Sequence, residues 1–222
     1  MTAIEYEPVA RRDITGVILA GGRGSRLGGV DKGFVHLHGR PLIEHVIEVL
    51  WPQVGSLVIS ANRNRDTYAS YGFPVIADVM GDYEGPLVGI LSAMRAANTT
   101  YIVVVPCDNP RPPANLVQGL VTALTEANAD VAVASSGGRM QPVFALLHFS
   151  LADGLQDYLV QGGHEVGDWM RQQDAVLVDF ASPVDGFRNI NTREELESME
   201  SCAEAGPQAS DTKGENTRAR NR

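Results

Sequence analysis

The sequence predicts an α/β fold, a three-layer, mostly parallel, doubly wound sheet with helices on both faces. Three observations predict it. Short apolar runs alternate with longer amphipathic stretches from residue 14 to about residue 200, the pattern of successive βαβ units. Several of the runs are continuously apolar rather than alternating, as strands covered on both faces are. A glycine-rich segment follows the first run directly, at the strand end where open α/β sheets take their ligands.

The elements follow in chain order. Ile14–Ala20 (ITGVILA) is the first strand, and Pro41–Leu50 the first helix. Ser56–Ala61 and Pro74–Ala77 are strands, Leu87–Ala97 a helix, Tyr101–Val105 a strand and Pro113–Ala127 a helix. Each helix carries apolar residues at roughly i, i+3 and i+4. Pro41 and Pro113 are expected in first turns, where a missing N–H costs nothing. Val131–Ala134 is the next strand. Met140–Phe149 (MQPVFALLHF) then breaks the alternation and predicts an added strand or hairpin arm after the turn at Ser135–Arg139. Leu151–Gln161 is a helix, Ala175–Phe180 a strand, and Thr192–Met199 a short helix capped by Asn191 or Thr192, with an acidic first turn.

The length of 222 residues suits one domain with appendages. Residues 1–13 are expected to be an N-terminal extension that frays, 14–200 the folded domain, and 201–222 a polar tail without periodicity that stays disordered. With 27 acidic against 18 basic residues, the net charge of −9 argues against a nucleic-acid binder. No apolar run reaches ~18 residues, so no membrane span is expected. Met1–Asp13 lacks the apolar core of a signal peptide, and the two cysteines are no disulfide scaffold. These point to a cytoplasmic protein. The basic residues are 16 arginines and two lysines, Lys32 and Lys213.

Leu19 to Gly33 holds six glycines together with Arg23, Arg26 and Lys32. Glycines let backbone approach a ligand, successive N–H groups form an anion-binding nest, and the cations add charge. The chemistry this suits is a polyphosphate. A P-loop would need Gly-Lys-Ser/Thr, but Lys32 lies between Asp31 and Gly33. A dinucleotide fingerprint starting at Gly22 would need glycine where Leu27 stands.

Leu19-Ala20-Gly21-Gly22 followed by Arg26-Leu27-Gly28-Gly29-Val30-Asp31-Lys32-Gly33 resembles the signature of the molybdenum cofactor guanylyltransferases, within the nucleotidyltransferase A class built on a Rossmann-like sheet. The resemblance continues through Arg40-Pro41-Leu42, Asn62-Arg63, Asp78, Gly85-Pro86-Leu87-Val88-Gly89, Pro106-Cys107-Asp108, Gln141-Pro142 and Asn189-Ile190-Asn191-Thr192. It spans about residues 14–196.

Asp108, just past a buried strand, is the best candidate to hold a metal, since Mg²⁺ takes one or two carboxylates plus substrate phosphates. Its bland alternative is a turn aspartate. The resemblance implies that it binds Mg²⁺, with Mn²⁺ as an alternative ion, and the nucleotide. It further implies a GTP site at Leu19, Ala20, Gly21, Gly22, Lys32, Asn62, Asp78, Gly85, Pro86 and Leu87. Guanine presents two adjacent donors that one carboxylate can accept, which suits Asp78, although Asp78 also reads as a loop or cap residue. Lys32, Arg26 and Asp108 are the expected catalytic groups. Asn189 and Asn191 fit either the second substrate, molybdopterin, or a helix cap. Many relatives carry paired arginines where this chain has Gly162-Gly163-His164-Glu165.

The implied reaction transfers GMP from GTP to the terminal phosphate of molybdopterin, releasing pyrophosphate. Its nearest alternative is a molybdopterin cytidylyltransferase or another small nucleotidyltransferase. Molybdoenzymes or other cofactor-assembly proteins are the expected partners, with no nucleic acid and no membrane. His36 and His38 read as a surface pair, Cys107 as buried packing, and Gly137-Gly138 as a turn.

Overall fold

The computed structural model describes residues 9–20, 30–81, 85–180 and 186–204. Strand β1 (Ile14–Leu19) is followed by a two-residue hairpin pair, β2 (His36–Leu37) and β3 (Arg40–Pro41), and then by α1 (Leu42–Leu50). Next come β4 (Ser56–Ser60), α2 (Arg65–Ala69), β5 (Val75–Ile76), α3 (Pro86–Ala96), β6 (Tyr101–Pro106), α4 (Leu116–Ala127) and β7 (Val131–Ser136). The chain continues through β8 (Arg139–His148), α5 (Ala152–Val160), α6 (Val166–Gln172), β9 (Val176–Asp179) and α7 (Arg193–Glu204).

The main sheet has seven strands in the order β5-β4-β1-β6-β8-β7-β9. Every pairing is parallel except those of β8, which runs antiparallel to both β6 and β7. Alternate residues of each strand feed opposite faces. Ile14 and Ile18 of β1 join a core with Ile43 and Val46 of α1 and Leu120 of α4. Val17, from the same strand, joins Ile90 of α3, Leu155 of α5 and Trp169 of α6 on the other face. The doubly wound, three-layer expectation is therefore borne out.

The added arm is borne out, and several other details differ from the sequence reading. Met140–His148 falls in the antiparallel arm β8, which Gly137 and Gly138, at φ +56° and +75°, join to β7, while Phe149 begins the 3₁₀ turn that follows. Two successive positive φ values make the tight hairpin turn whose twist matches the strands. Pro41 caps α1 rather than entering its first turn, because it is already paired in β3 with His36. Pro113 lies three residues before α4, in a turn where Leu116 N–H donates to its carbonyl. Helices α2 and α6 and the β2–β3 hairpin are all too short for the apolar pattern to predict, since propagation is weak over so few residues.

Of the 1–13 stretch, residues 9–13 are described. Residues 11–13 form a 3₁₀ turn, and Arg11 Nε donates to the Val54 carbonyl at 2.5 Å. Helix α7 runs to Glu204, and its cap is Thr192. Thr192 Oγ1 accepts from Glu195 N–H, while Glu195 Oε2 accepts from the Asn191 and Thr192 N–H groups, a reciprocal capping box.

Candidate active site

From β1 the chain moves to β4 and β5 on one side, then returns to β6 on the other. This reversal opens a crevice at the carboxyl ends of the strands. A cavity of about 800 Å³ occupies it. Leu19 and Ala20 enter it from β1, Ser60 and Asn62 from β4, and Pro106, Cys107 and Asp108 from β6. The sheet ladder runs on into this rim: Ala20 N–H donates to Ser60 O at 2.8 Å and Cys107 N–H to Leu19 O at 3.0 Å.

Helix α3 closes one side. Gly85, at φ +112°, caps it and Pro86 opens it. A Cβ on Gly89 would stand 2.8 Å from Ser60 Oγ and 3.0 Å from Leu19 Cδ2. Only glycine lets this helix approach the strand ends so closely. Leu87 points the other way, into the core at 1% exposure. Its side chain does not line the cavity, because the second helical position here faces the sheet.

At one end of the cavity, Lys32 Nζ donates to Asp108 Oδ2 at 2.8 Å and to Asn191 Oδ1 at 2.6 Å. The two charged side chains are only 22% and 11% exposed, so water screens them weakly. Asn191 is fixed by the α7 capping box, and Ile190 N–H donates to Asp108 O at 2.8 Å. Asp108 Oδ1 and Asn189 Oδ1 are buried without a hydrogen-bond partner among the described residues, as are both polar atoms of the Asn109 side chain. Such oxygens suit a hard cation.

At the other end, Asn62 and Asp78 hold each other. Asn62 Nδ2 donates to Asp78 Oδ2 at 2.6 Å, and Asp78 N–H donates to Asn62 Oδ1 at 2.9 Å. Ser92 of α3 braces the next residue by accepting from Val79 N–H at 2.9 Å. Asp78 thus presents its carboxylate to the cavity on a fixed backbone.

Lys32, Asp108, Asn62, Asp78, Leu19, Ala20, Gly85 and Pro86 all meet at this cavity, and Asn191 joins through Lys32. Gly21, Gly22, Arg23 and Arg26 lie outside the described residues. Arg63, Met80 and His164 also line the cavity, and sequence reasoning did not place them there. Arg63 had a signal, being next to Asn62 at the end of a strand. His164 had one in the resemblance, since it stands where many relatives carry paired arginines; Met80 had none, because only the fold brings it to the crevice.

Cys107, 5% exposed, is buried beside Asp108 as expected. Burial and then the Asp108 charge push its thiol pKa up, so it stays neutral. His36 and His38 are exposed on the β2–β3 hairpin. Among the described residues no helix is long and apolar enough to cross a membrane.

Residues 16–176 match the family model of the MobA-like NTP transferase domain. The chain is 45% identical over 196 residues to the molybdenum cofactor guanylyltransferase of Ralstonia nicotianae, covering 84% of this chain and 96% of that protein. It is 42% identical over 186 residues to the molybdenum cofactor guanylyltransferase of Shewanella sediminis, covering 84% and 95%. Its fold superposes on the crystal structure of molybdopterin-guanine dinucleotide biosynthesis protein A from Archaeoglobus fulgidus with a TM-score of 0.72. That pair is 25% identical, and the match covers 86% of this chain and 98% of the other.

Proposed function

Because the chain belongs to the MobA-like NTP transferase family, we propose that it transfers GMP from GTP to the terminal phosphate of molybdopterin, in the cytoplasm. The enzyme is a nucleotidyltransferase, as its curated relatives are. The observation that carries the reading is the cavity's polarity: a fixed ammonium at one end and a carboxylate held open at the other, on strand ends that suit a nucleotide.

In the reaction, an oxygen of the molybdopterin phosphate attacks the α-phosphorus of GTP. The bond from that phosphorus to the bridging oxygen breaks, and pyrophosphate leaves. The nucleophile is already ionised near neutral pH, so no general base is required. The protein supplies position and charge.

Lys32 meets the triphosphate, and Arg26 is a second cation to offset its charge. The backbone from Leu19 to Gly22 and the start of α3 at Gly85 and Pro86 hold the nucleotide, with Leu87 contributing its backbone only. Asp78, steadied by Asn62, accepts the N1–H and N2–H₂ donors of guanine. Asn189 and Asn191 serve the pterin side. Asp108 fits a divalent cation, since one of its oxygens is buried and unpartnered. Asp108 would hold such an ion, Mg²⁺ or Mn²⁺ in its place, which when bound would supply positive charge to offset that of the phosphates. Residues 14–200 carry all of these groups. Molybdoenzymes or other cofactor-assembly proteins receive the product.

Incubation with molybdopterin, Mg²⁺ and either GTP or CTP tests the proposal. GTP-dependent pyrophosphate release with formation of the guanine dinucleotide is expected. Turnover with CTP alone would overturn it.

A further inference from the structure

Lys32 is one residue away from a buried carboxylate that the reaction does not use. Asp31 is 7% exposed. Its Oδ1 accepts from the Tyr68 hydroxyl at 2.5 Å and from Gly33 N–H at 3.3 Å, and its Oδ2 accepts from Asn64 Nδ2 at 3.0 Å. Tyr68 is fully buried, its ring stacked on Phe34 with centroids 4.5 Å apart. A Cβ on Gly33 would overlap the Tyr68 hydroxyl, so the tyrosine reaches Asp31 only because residue 33 is glycine. Asn64 holds its amide in place from a left-handed backbone at φ +50°.

A buried carboxylate and a left-handed non-glycine residue are both costly. They converge on one short turn, Lys32–Phe34, whose first residue is the cavity's lysine. Asn64 is two residues from Asn62, the partner of Asp78. One loop between β4 and α2 therefore sets both ends of the cavity.

We propose that Asp31, Tyr68 and Asn64 are positioning residues for Lys32, a clamp that fixes the lysine backbone so that its ammonium meets the nucleotide phosphates. The proposal rests on reading Lys32 as the phosphate-binding cation. A lysine side chain has four rotatable bonds. Its tip is placed reproducibly only if its base does not move, and misplacement costs rate rather than fold. Burial keeps the Tyr68 phenol protonated well above its ordinary range, so it remains a donor at any working pH.

The test is a double-mutant cycle on pyrophosphate release with GTP and molybdopterin. Tyr68→Phe removes one hydroxyl and keeps the stack on Phe34. It should lower kcat/KM for GTP about tenfold, mostly through kcat, while KM for molybdopterin stays within about twofold. Asn64→Gly, which keeps the backbone and loses the amide, should do the same. In a Lys32→Met background, followed under single-turnover conditions, Tyr68→Phe should cost less than about twofold, because the group it positions is gone.

A Tyr68→Phe protein that keeps its GTP kcat/KM would overturn the clamp. So would an equal loss from Tyr68→Phe in both backgrounds, which would mark a structural role only. Unchanged turnover in Lys32→Met alone would instead sink the reading of Lys32 itself, so the two failures are distinguishable.

Discussion

At one end of the cavity, Lys32 and Asp108 pair with their side chains largely out of water, and the lysine's bonds join residues 76 and 159 positions apart. At the other, Asn62 and Asp78 bond each other in the open, 16 positions apart. Buried charges interact strongly and are costly to strand, at about 3–5 kcal/mol when one partner is removed. Exposed polar pairs exchange readily with water and contribute about 1 kcal/mol or less. The buried end is therefore suited to set the rate, where a fixed charge must meet developing charge. The open end is suited to select the base, where modest differences between two hydrogen-bond patterns suffice.

The largest expected effects lie at the buried end. Asp108→Asn and Lys32→Met should each lower kcat/KM for GTP by about 10²–10³, the scale of losing one preorganised electrostatic group. Lys32→Arg keeps the charge but not the compact ammonium, and should still lose about tenfold. Steady-state pyrophosphate release checks all three, and a wild-type rate in Lys32→Arg would show that charge alone matters there.

Next comes the open end. Asp78→Asn swaps one acceptor for a donor, so GTP should lose about tenfold while ITP, which lacks the exocyclic amine, loses little. The GTP-to-ITP ratio should collapse toward unity. If it holds, Asp78 does not read the base.

Asn62→Ala should be milder, about threefold in KM for GTP with kcat unchanged, because water can replace the lost amide. A loss as deep as that of Lys32→Met would erase the contrast between the two ends.

The smallest effect concerns pH. Burial, and then Asp108, raise the pKa of Cys107 above its ordinary 9.0. The folded chain thus resists an ionisation that the unfolded chain undergoes from about pH 9. Stability is full below that pH and falls as pH rises above it. Cys107→Ala should flatten this alkaline decline, read from urea midpoints between about pH 8 and pH 10. A slope identical to wild type would mean that other groups dominate it.

What depends on neighbours along the chain is legible in the residues alone. Continuous apolar runs such as YIVVV identify buried strands, and the residue just past such a strand, here Asp108, falls at the crevice. The glycines and cations from Leu19 to Gly33 point to a phosphate for the same local reason. Thr192 is one of the two caps that the residues offer for the last helix, ahead of an acidic first turn. What depends on strand order emerges when the sheet packs. Packing set β8 antiparallel between β6 and β7, a pairing that the apolar pattern of Met140–Phe149 leaves open. It carried Asn191 across the fold to Lys32, brought His164 to the cavity, and turned Leu87 into the core. It also closed Tyr68 and Asn64 onto Asp31. Local sequence encodes which face of an element is apolar. Which distant element then meets that face is settled by packing the whole sheet, and the contacts that aim Lys32 exist only after that packing is complete.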